Sequence, residues 1–490
     1  MANSAEKSFF GHPRQLGTLF HIELWERFSF YGLQGILMMY IYYATKDGGL
    51  GLEEKQAGLI LAAYGSSVYL STILGGWLAD RVLGTERTLF YSGITVMCGH
   101  LTLALLPGVS GMITGLVLIA FGSGGVKSSA SAMVGSLYEK EDLKYLRDAG
   151  FAIFYIAINI GGLLGPYLTG IMQIKYGFHY GFGIAAVGMA IGLCLYSLGR
   201  KKLPSMLPTH PLSKERIIMA IILALVAAGV VWAAVYTNHL RLDNLVDVLL
   251  IIDIICIIGY FGWLLNSPRV DADHQRYILA YIPLFTATCL FWAMWYQIYT
   301  AITIYFDKIM VAERQIDLFG WRTVEIPVPW KDAAQSLWVI IFSGITASIW
   351  TKLGKRQPKT PTKYACSLIV LSMSYFIFLP FIGNGGVMSL MMFTLVILFN
   401  TLGELLISPI SLSFATRIAP RHFKTQMVAL NFLSLALGFA LGGKYFSLAF
   451  DEKNYNFVSY FSMTGGISLA VGLVLLTLVP TINKLLKGID

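Results

Sequence analysis

The stretch Glu23-Leu24-Trp25-Glu26-Arg27-Phe28-Ser29-Phe30-Tyr31 lies inside an apolar run from about Leu16 to Tyr43. A run of that length is long enough to cross a bilayer. Two acids and a base in its first half are therefore expensive, because a charge at mid-membrane costs about 3 kcal/mol even on the mild insertion scale. At about 100° per residue, Glu23, Glu26 and Arg27 share one face of a helix. That face is expected to look into protein or a wet cavity, and the apolar face into lipid. Three charges placed so point to a chain that moves or senses something charged.

The rest of the composition fits that setting. Of 490 residues, 56% are hydrophobic and 13% charged, with a mean hydropathy of +0.66. That balance indicates a polytopic, all-α membrane protein in contact with a lipid bilayer. The net charge of +9 does not signal nucleic acid. The basic residues gather in short loops on one side, as the positive-inside rule requires. Cys98, Cys194, Cys256, Cys289 and Cys366 all fall in apolar runs, at spacings that suit neither a metal site nor a disulfide framework. They are expected to be small core residues. The first apolar run lacks a small-residue cleavage site and reads as a retained helix behind a polar N-terminus, Met1 to Gln15.

Further apolar runs lie at about 57–82, 88–107, 111–137, 149–174, 179–199, 216–237, 245–265, 277–306, 333–352, 363–382, 387–416, 423–449 and 457–482. With the first, that makes about fourteen spans. Ala44–Gln56 is a Gly-rich polar loop, and Gly199–Glu215 is a basic, Pro-containing linker. Arg81/Arg87, Lys140/Lys144/Arg147, Arg200–Arg216, Arg269/Arg276, Lys352–Lys363, Arg417–Lys424 and Lys484/Lys487 fall on one side under strict alternation. The connections Pro107–Met112 and Gly383–Val387 carry no Lys or Arg. An even span count then places both termini in the cytoplasm.

Grouped this way, residues 1–199 form a six-helix bundle, 200–275 a basic linker with a two-helix insert, and 276–490 a second six-helix bundle. A faint echo links Gly75–Arg87 to Ser348–Arg356, each ending a second span with a Gly-containing basic turn. Two six-helix halves are the architecture of the major facilitator superfamily, with the substrate site near the midplane. The insert reads as a scaffold against lipid.

Inside the spans, Lys127 follows Gly122–Val126, Asn159 lies in Phe154–Gly161, and Glu404 lies in Asn400–Pro409. Each reads either as a packing contact or as part of a pathway, and buried charges at such depth favour the pathway. The glycines before Lys127 read as close helix contact rather than a phosphate loop. The early half thus offers Arg27 and Lys127 beside Glu23 and Glu26, and the later half offers Glu404. A zwitterion suits that arrangement, with its carboxylate at the two cations and its amine at Glu404; an arginine can hold a carboxylate by two parallel hydrogen bonds.

The residues resemble the proton-dependent oligopeptide transporter family over nearly the whole chain. The resemblance rests on Glu23-x-x-Glu26-Arg27-Phe28, Ala63-Tyr64 with Val68–Asp80, Lys127, Arg147–Phe151, the Asn159 segment, and Gly403–Leu405 with Ser408-Pro409. Bacterial members are similar in having two extra helices between the halves. The resemblance implies proton-driven import of di- and tripeptides across the cell membrane by alternating access. By it, Glu23, Glu26, Arg27 and Lys127 couple the proton, Arg27 and Lys127 take the peptide carboxylate, and Asn159, Glu404 and Gln335 take the amine and backbone. Tyr31, Tyr64, Tyr155, Trp292, Tyr296, Ser408 and Asn431 would line the pocket. No cofactor is implied; the proton is the coupling ion, and the fold can work as a monomer. The chain departs from the family pattern at Phe30 for a Tyr, Tyr296 for a Glu before Gln297, Gln335-Ser336 for Asn-Pro, and Asn431 for a Trp. Losing the acid at 296 makes coupling depend on Glu23 and Glu26.

Other readings stay open: a transporter of the same fold for another small zwitterion, an anion such as nitrate, or a drug; a proton-antiporting exporter; or a peptide-sensing receptor. No metal-ligand cluster, nucleophile motif or nucleotide loop points to an enzyme. His21 and His100 stand isolated and read as structural.

Overall fold

A computed structural model of the chain describes residues 7–139, 143–204, 207–208, 211–318, 322–383, 385–420 and 423–488. Lys140 and Arg421, two of the loop bases on the basic side, lie outside them, as do the first six residues. Fourteen long helices follow the apolar runs. They are α1 (Arg14–Tyr42), α2 (Glu54–Leu78), α3 (Thr85–Leu105), α4 (Gly108–Ser136), α5 (Arg147–Tyr176), α6 (Phe178–Gly199) and α7 (Lys214–Tyr236). The series continues with α8 (Leu245–Asn266), α9 (Ala272–Trp295), α10 (Trp330–Leu353), α11 (Thr360–Phe376), α12 (Leu390–Arg417), α13 (Lys424–Ala449) and α14 (Phe457–Leu485). Among the described residues, thirteen helical segments are long and apolar enough to cross a membrane. The remaining helix, α1, has 29 residues, or about 44 Å at 1.5 Å per residue. Its hydropathy is diluted by Arg14, Glu23, Glu26 and Arg27.

The chain divides into two compact units, one of Met1–Gly51 with Ser67–Leu245 and one of Leu52–Ser66 with Val246–Asp490. In the first, α1 packs on α5 and α6, and α3 packs on α4 and α6. In the second, α9 packs on α13 and α14, and α11 packs on α12 and α14. The second set repeats the first with every helix eight places later. This is a far stronger internal echo than the two basic turns, because helix pairing depends on the pattern of small and large residues rather than on any one motif.

Small residues set the closest approaches. A Cβ on Gly161 of α5 would lie 2.4 Å from the Leu24 carbonyl oxygen and 2.7 Å from the Arg27 Cβ. One on Gly165 would lie 2.3 Å from the Phe28 carbonyl oxygen. The glycines ahead of Lys127 act the same way: Gly125 meets the Gly75 position at 2.6 Å and Gly124 meets Ser71. Between α5 and α6 the connection is the single residue Gly177, whose φ of 96° is open to glycine at little cost.

Two expectations are corrected. First, α1 has no broad lipid face. Every residue from Gly32 to Tyr42 is buried, because α5 and α6 both pack against this helix. Second, the cysteines are not all core residues: Cys98 and Cys194 are exposed, Cys256 and Cys366 half-buried, and only Cys289 is buried. An apolar run in a membrane protein has lipid-facing positions as well as core ones, so hydropathy alone does not sort them. The insert helix α7 has no buried residue. In contrast, α8 buries Asp253, which accepts a hydrogen bond from Ser66 Oγ at 3.2 Å.

Short elements interrupt the helical pattern. A two-stranded hairpin, β1 (Lys7–Phe9) with β2 (His12–Pro13), precedes α1, and another, β3 (Gln315–Leu318) with β4 (Arg322–Glu325), precedes α10. Near the first, His12 Nδ1 lies 2.8 Å from the Tyr138 hydroxyl. Burial pushes that hydroxyl up to about 12, so it stays protonated.

Candidate functional site

The first unit carries a compact charged cluster. The helical repeat stacks Glu23 and Arg27 on successive turns of α1, and Glu26 sits beside them. Arg27 Nε donates to Glu23 Oε1 at 2.7 Å and lies 3.3 Å from Glu26 Oε2. Lys127 Nζ, from α4, lies 3.8 Å from Glu26 Oε1. The two carboxylate side chains are 2% and 0% exposed, and Arg27 and Lys127 9% and 10%. Two acids and two bases make the cluster neutral overall, which is what allows it to be buried. The close α1–α5 crossing at Gly161 presses backbone against the base of Arg27 and fixes where its guanidinium starts.

The pairing leaves slack. Glu23 Oε2 and both Glu26 oxygens make no hydrogen bond among the described residues, nor does Lys127 Nζ. Glu26 is held by charge more than by directed bonds, so a proton or another anion can compete for its partners. Phe30, which has no hydroxyl to offer, presents its ring instead: Lys127 Nζ lies 4.0 Å from the ring centroid. An ammonium over an aromatic face is stabilised without being neutralised. Tyr31 is half-buried and meets Phe30 edge-on at 5.3 Å.

Asn159 on α5 is buried, and its Nδ2 donates to the Tyr155 carbonyl of its own helix at 2.9 Å. Tyr155 is exposed. His100, which the sequence shows only as an isolated histidine, is fully buried on α3 and acts electrostatically on Glu26. Neither of its ring nitrogens has a hydrogen-bond partner among the described residues. Nothing in the spacing of His100 reveals this neighbour, since α1 and α3 are separated by a whole span.

The second unit carries the acidic element. Gln335 on α10 donates from Nε2 to Glu404 Oε2 on α12 at 2.9 Å. Among the described residues a neutral amide, and no base, thus holds the carboxylate. Trp292 is buried and packs edge-on to Trp295 at 5.1 Å. Gly438 of α13 lets it in, since a Cβ there would lie 2.6 Å from the Trp292 Cβ. Tyr64 and Asn431 are buried, and Asn431 Oδ1 lacks a hydrogen-bond partner among the described residues. Ser408 is half-buried, and its carbonyl accepts from Ser411 Oγ at 3.1 Å.

Tyr296 sits where α9 breaks. The chain passes into a 3₁₀ turn at Tyr296–Ile298, then Thr300 takes φ −113° and ψ −98°, and helix resumes at Ala301–Ile304. Gln297 holds the break. Its Nε2 donates to the carbonyls of Ala293 (2.8 Å) and Gly442 (3.1 Å), while its Oε1 accepts from Thr300 Oγ1 (2.8 Å) and the Tyr460 hydroxyl (2.5 Å). No Gly or Pro near 296–300 marks this interruption; the one proline of the run, Pro283, lies several turns earlier, inside α9. Tyr296 itself is fully buried, with its hydroxyl donating to the Gly58 carbonyl at 3.2 Å. Tyr296→Phe is therefore expected to lower the thermal midpoint by the equivalent of about 1 kcal/mol, the usual worth of one such bond. Uptake per folded molecule should be unchanged; a loss of uptake at unaltered stability would assign the hydroxyl a direct part in transport.

A POT family model matches residues 86–459. The di-/tripeptide transporter of Lactococcus lactis subsp. cremoris is 38% identical over 500 residues, covering 99% of both chains. A crystal structure of the peptide transporter POT in complex with sulfate superposes with a TM-score of 0.91 at 39% identity, covering 99% of this chain and 98% of that one. A POT family transporter solved in complex with 5-aminolevulinic acid gives a TM-score of 0.89 at 34% identity over 97% of this chain and 98% of that one.

Proposed function

Because the chain belongs to the POT family, we propose that it imports di- and tripeptides across the cell membrane together with protons. The observation that carries this reading is the division of charge: a neutral cluster with two bases on α1 and α4, and a base-free carboxylate on α12. Arg27 and Lys127 take the peptide carboxylate. Glu404, steadied by Gln335, takes the amine, and Asn159 serves the peptide backbone. Tyr31, Tyr64, Tyr155, Trp292, Ser408 and Asn431 shape the pocket. The relatives named as peptide transporters support the substrate class.

Coupling follows from competition. With Glu23 and Glu26 ionised, Arg27 and Lys127 are occupied. A proton on Glu26 neutralises it and frees a base for the peptide carboxylate. Proton and peptide therefore enter on the same step of an alternating-access cycle. An inside-negative potential favours import, at about 2.3 kcal/mol per net charge per 100 mV. Under the loop-charge rule both termini lie in the cytoplasm, and a monomer suffices for the cycle.

Uptake of labelled dipeptide into proteoliposomes with an imposed proton gradient tests the proposal. Accumulation above the external concentration, abolished by a protonophore, is the expected result; binding without accumulation would indicate a receptor. A second reading is favoured by the relative bound to 5-aminolevulinic acid: a small amine-bearing acid that is not a peptide. Thermal stabilisation by dipeptides, tripeptides, single amino acids and nitrate separates the two. Stabilisation by peptides alone supports the first reading.

A further inference from the structure

Outside the cluster on α1, the second unit holds a buried ion pair that the cycle above does not use. Lys331 and Asp332 occupy the first turn of α10, with Nζ and Oδ1 2.6 Å apart and side chains 1% and 5% exposed. The second carboxylate oxygen, Asp332 Oδ2, is buried without a hydrogen-bond partner among the described residues. Among the described residues, each is the other's ion-pair partner.

Tyr299, in the break after α9, presents its ring to Lys331 Nζ at 5.3 Å from the centroid. From α12, Glu404 reaches the same helix through Gln335, one turn beyond Lys331. Arg417 lies at the far end of α12. The pair thus faces the interrupted part of α9 and shares its own helix with Gln335, which steadies Glu404. An ion pair kept out of water is rarely the most stable choice for its volume. Here the pair is kept at the start of α10, buried in protein, with one carboxylate oxygen left without a hydrogen bond among the described residues.

Building on the proton-coupled reading, we infer that Asp332 is a second proton-carrying group, located in the second unit and paired with Lys331. The proton arrives on Oδ2, the oxygen without a partner, and forms an O–H bond there. Lys331 keeps its own proton and loses its counter-charge, so the pair passes from neutral to singly positive. Its ammonium then keeps the Tyr299 ring, and the first turn of α10 is released from the constraint that the ion pair imposes. Breaking that O–H bond, with release of the proton to water, restores the neutral ion pair.

The test uses the full chain in proteoliposomes and compares two modes. Gradient-driven accumulation needs a proton carrier; counterflow exchange of labelled for unlabelled dipeptide at equal pH needs only binding and movement. Asp332→Asn is expected to reduce accumulation about tenfold, within the usual range of coupling energies, with counterflow within about twofold of the parent protein. Asp332→Glu should restore accumulation, since it returns a carboxyl. The double change Lys331→Gln with Asp332→Asn removes both charges together and should match Asp332→Asn without the cost of an unpaired buried ammonium. Full accumulation in Asp332→Asn would overturn the inference. So would equal loss of both modes in the single and double variants, which is the behaviour of a packing contact. Failure of the parent protein to accumulate peptide at all would instead overturn the proton-coupled reading, so the two failures are distinct.

Discussion

Glu26→Gln is expected to abolish most proton-driven peptide accumulation, by about 5- to 150-fold, the span of typical coupling free energies. Glu26 stands between both bases, 3.3 Å from Arg27 Nε and 3.8 Å from Lys127 Nζ. Its oxygens make no hydrogen bond among the described residues, so its hold on them is electrostatic and disappears when the charge does. Glutamine keeps the shape and removes the charge. The bases are then permanently free, peptide binding no longer waits for a proton at this cluster, and the gradient loses its main handle on the cycle. Fluorescence from a pH dye inside the liposomes, read alongside labelled peptide, checks this directly. Full gradient-driven accumulation by Glu26→Gln would remove Glu26 from the mechanism and leave Glu23 as the acid of that cluster.

The second large effect is on assembly. Gly161→Val is expected to destabilise the first unit by about 3 kcal/mol, the upper range for overpacking a core. The atoms that a Cβ would strike are the Leu24 carbonyl oxygen at 2.4 Å, the Arg27 Cβ at 2.7 Å and the Phe28 nitrogen at 2.8 Å. Backbone cannot rotate away as a long side chain can. The helices must separate, and separation moves the base of Arg27 as well as the packing. A thermal melt of the purified variant should show a midpoint lowered by roughly 5 °C or more, and the folded fraction should still transport poorly. Gly229→Val on α7, where an added Cβ meets nothing within 4 Å, is the matched control and should leave both unchanged.

The sequence read most clearly where one physical term dominates. Span limits followed hydropathy closely: α6, expected at 179–199, occupies Phe178–Gly199, and α14, expected at 457–482, occupies Phe457–Leu485. The Glu23, Glu26 and Arg27 grouping followed from helical spacing, because residues on adjacent turns must meet. What stayed hidden needed tertiary information. The interruption at Tyr296–Thr300 depends on Gln297 finding acceptors and donors on α13 and α14, which no local signal reports. Lys331 and Asp332 precede the apolar run at 333–352 and look like an ordinary polar helix start; only packing buries them. His100 beside Glu26 is of the same kind.

Tyr296 illustrates the limit of motif transfer. The family pattern places an acid there, and the resemblance makes the position a candidate for the pocket wall. In this chain the side chain is fully buried, and its hydroxyl bonds the Gly58 carbonyl. The same backbone position has become a brace for α2. An acid moved by one helix, to Asp332, would leave the motif incomplete while keeping a protonatable group in the same unit.

The helix α7 has 23 residues, none of them buried, so its length is about 34 Å by helical rise, close to the roughly 30 Å of a bilayer's hydrocarbon core. Lys214 and Arg216 stand at one end, and Trp232 stacks on Tyr236 at the other, with ring centroids 5.4 Å apart. These are the residues that anchor a helix at the two water boundaries. Since no residue of α7 is buried, it can tilt without opening the core. In a thinner membrane this helix is therefore the element that leans, and the insert behaves as a compliant spacer that absorbs hydrophobic mismatch before it reaches the charged cluster.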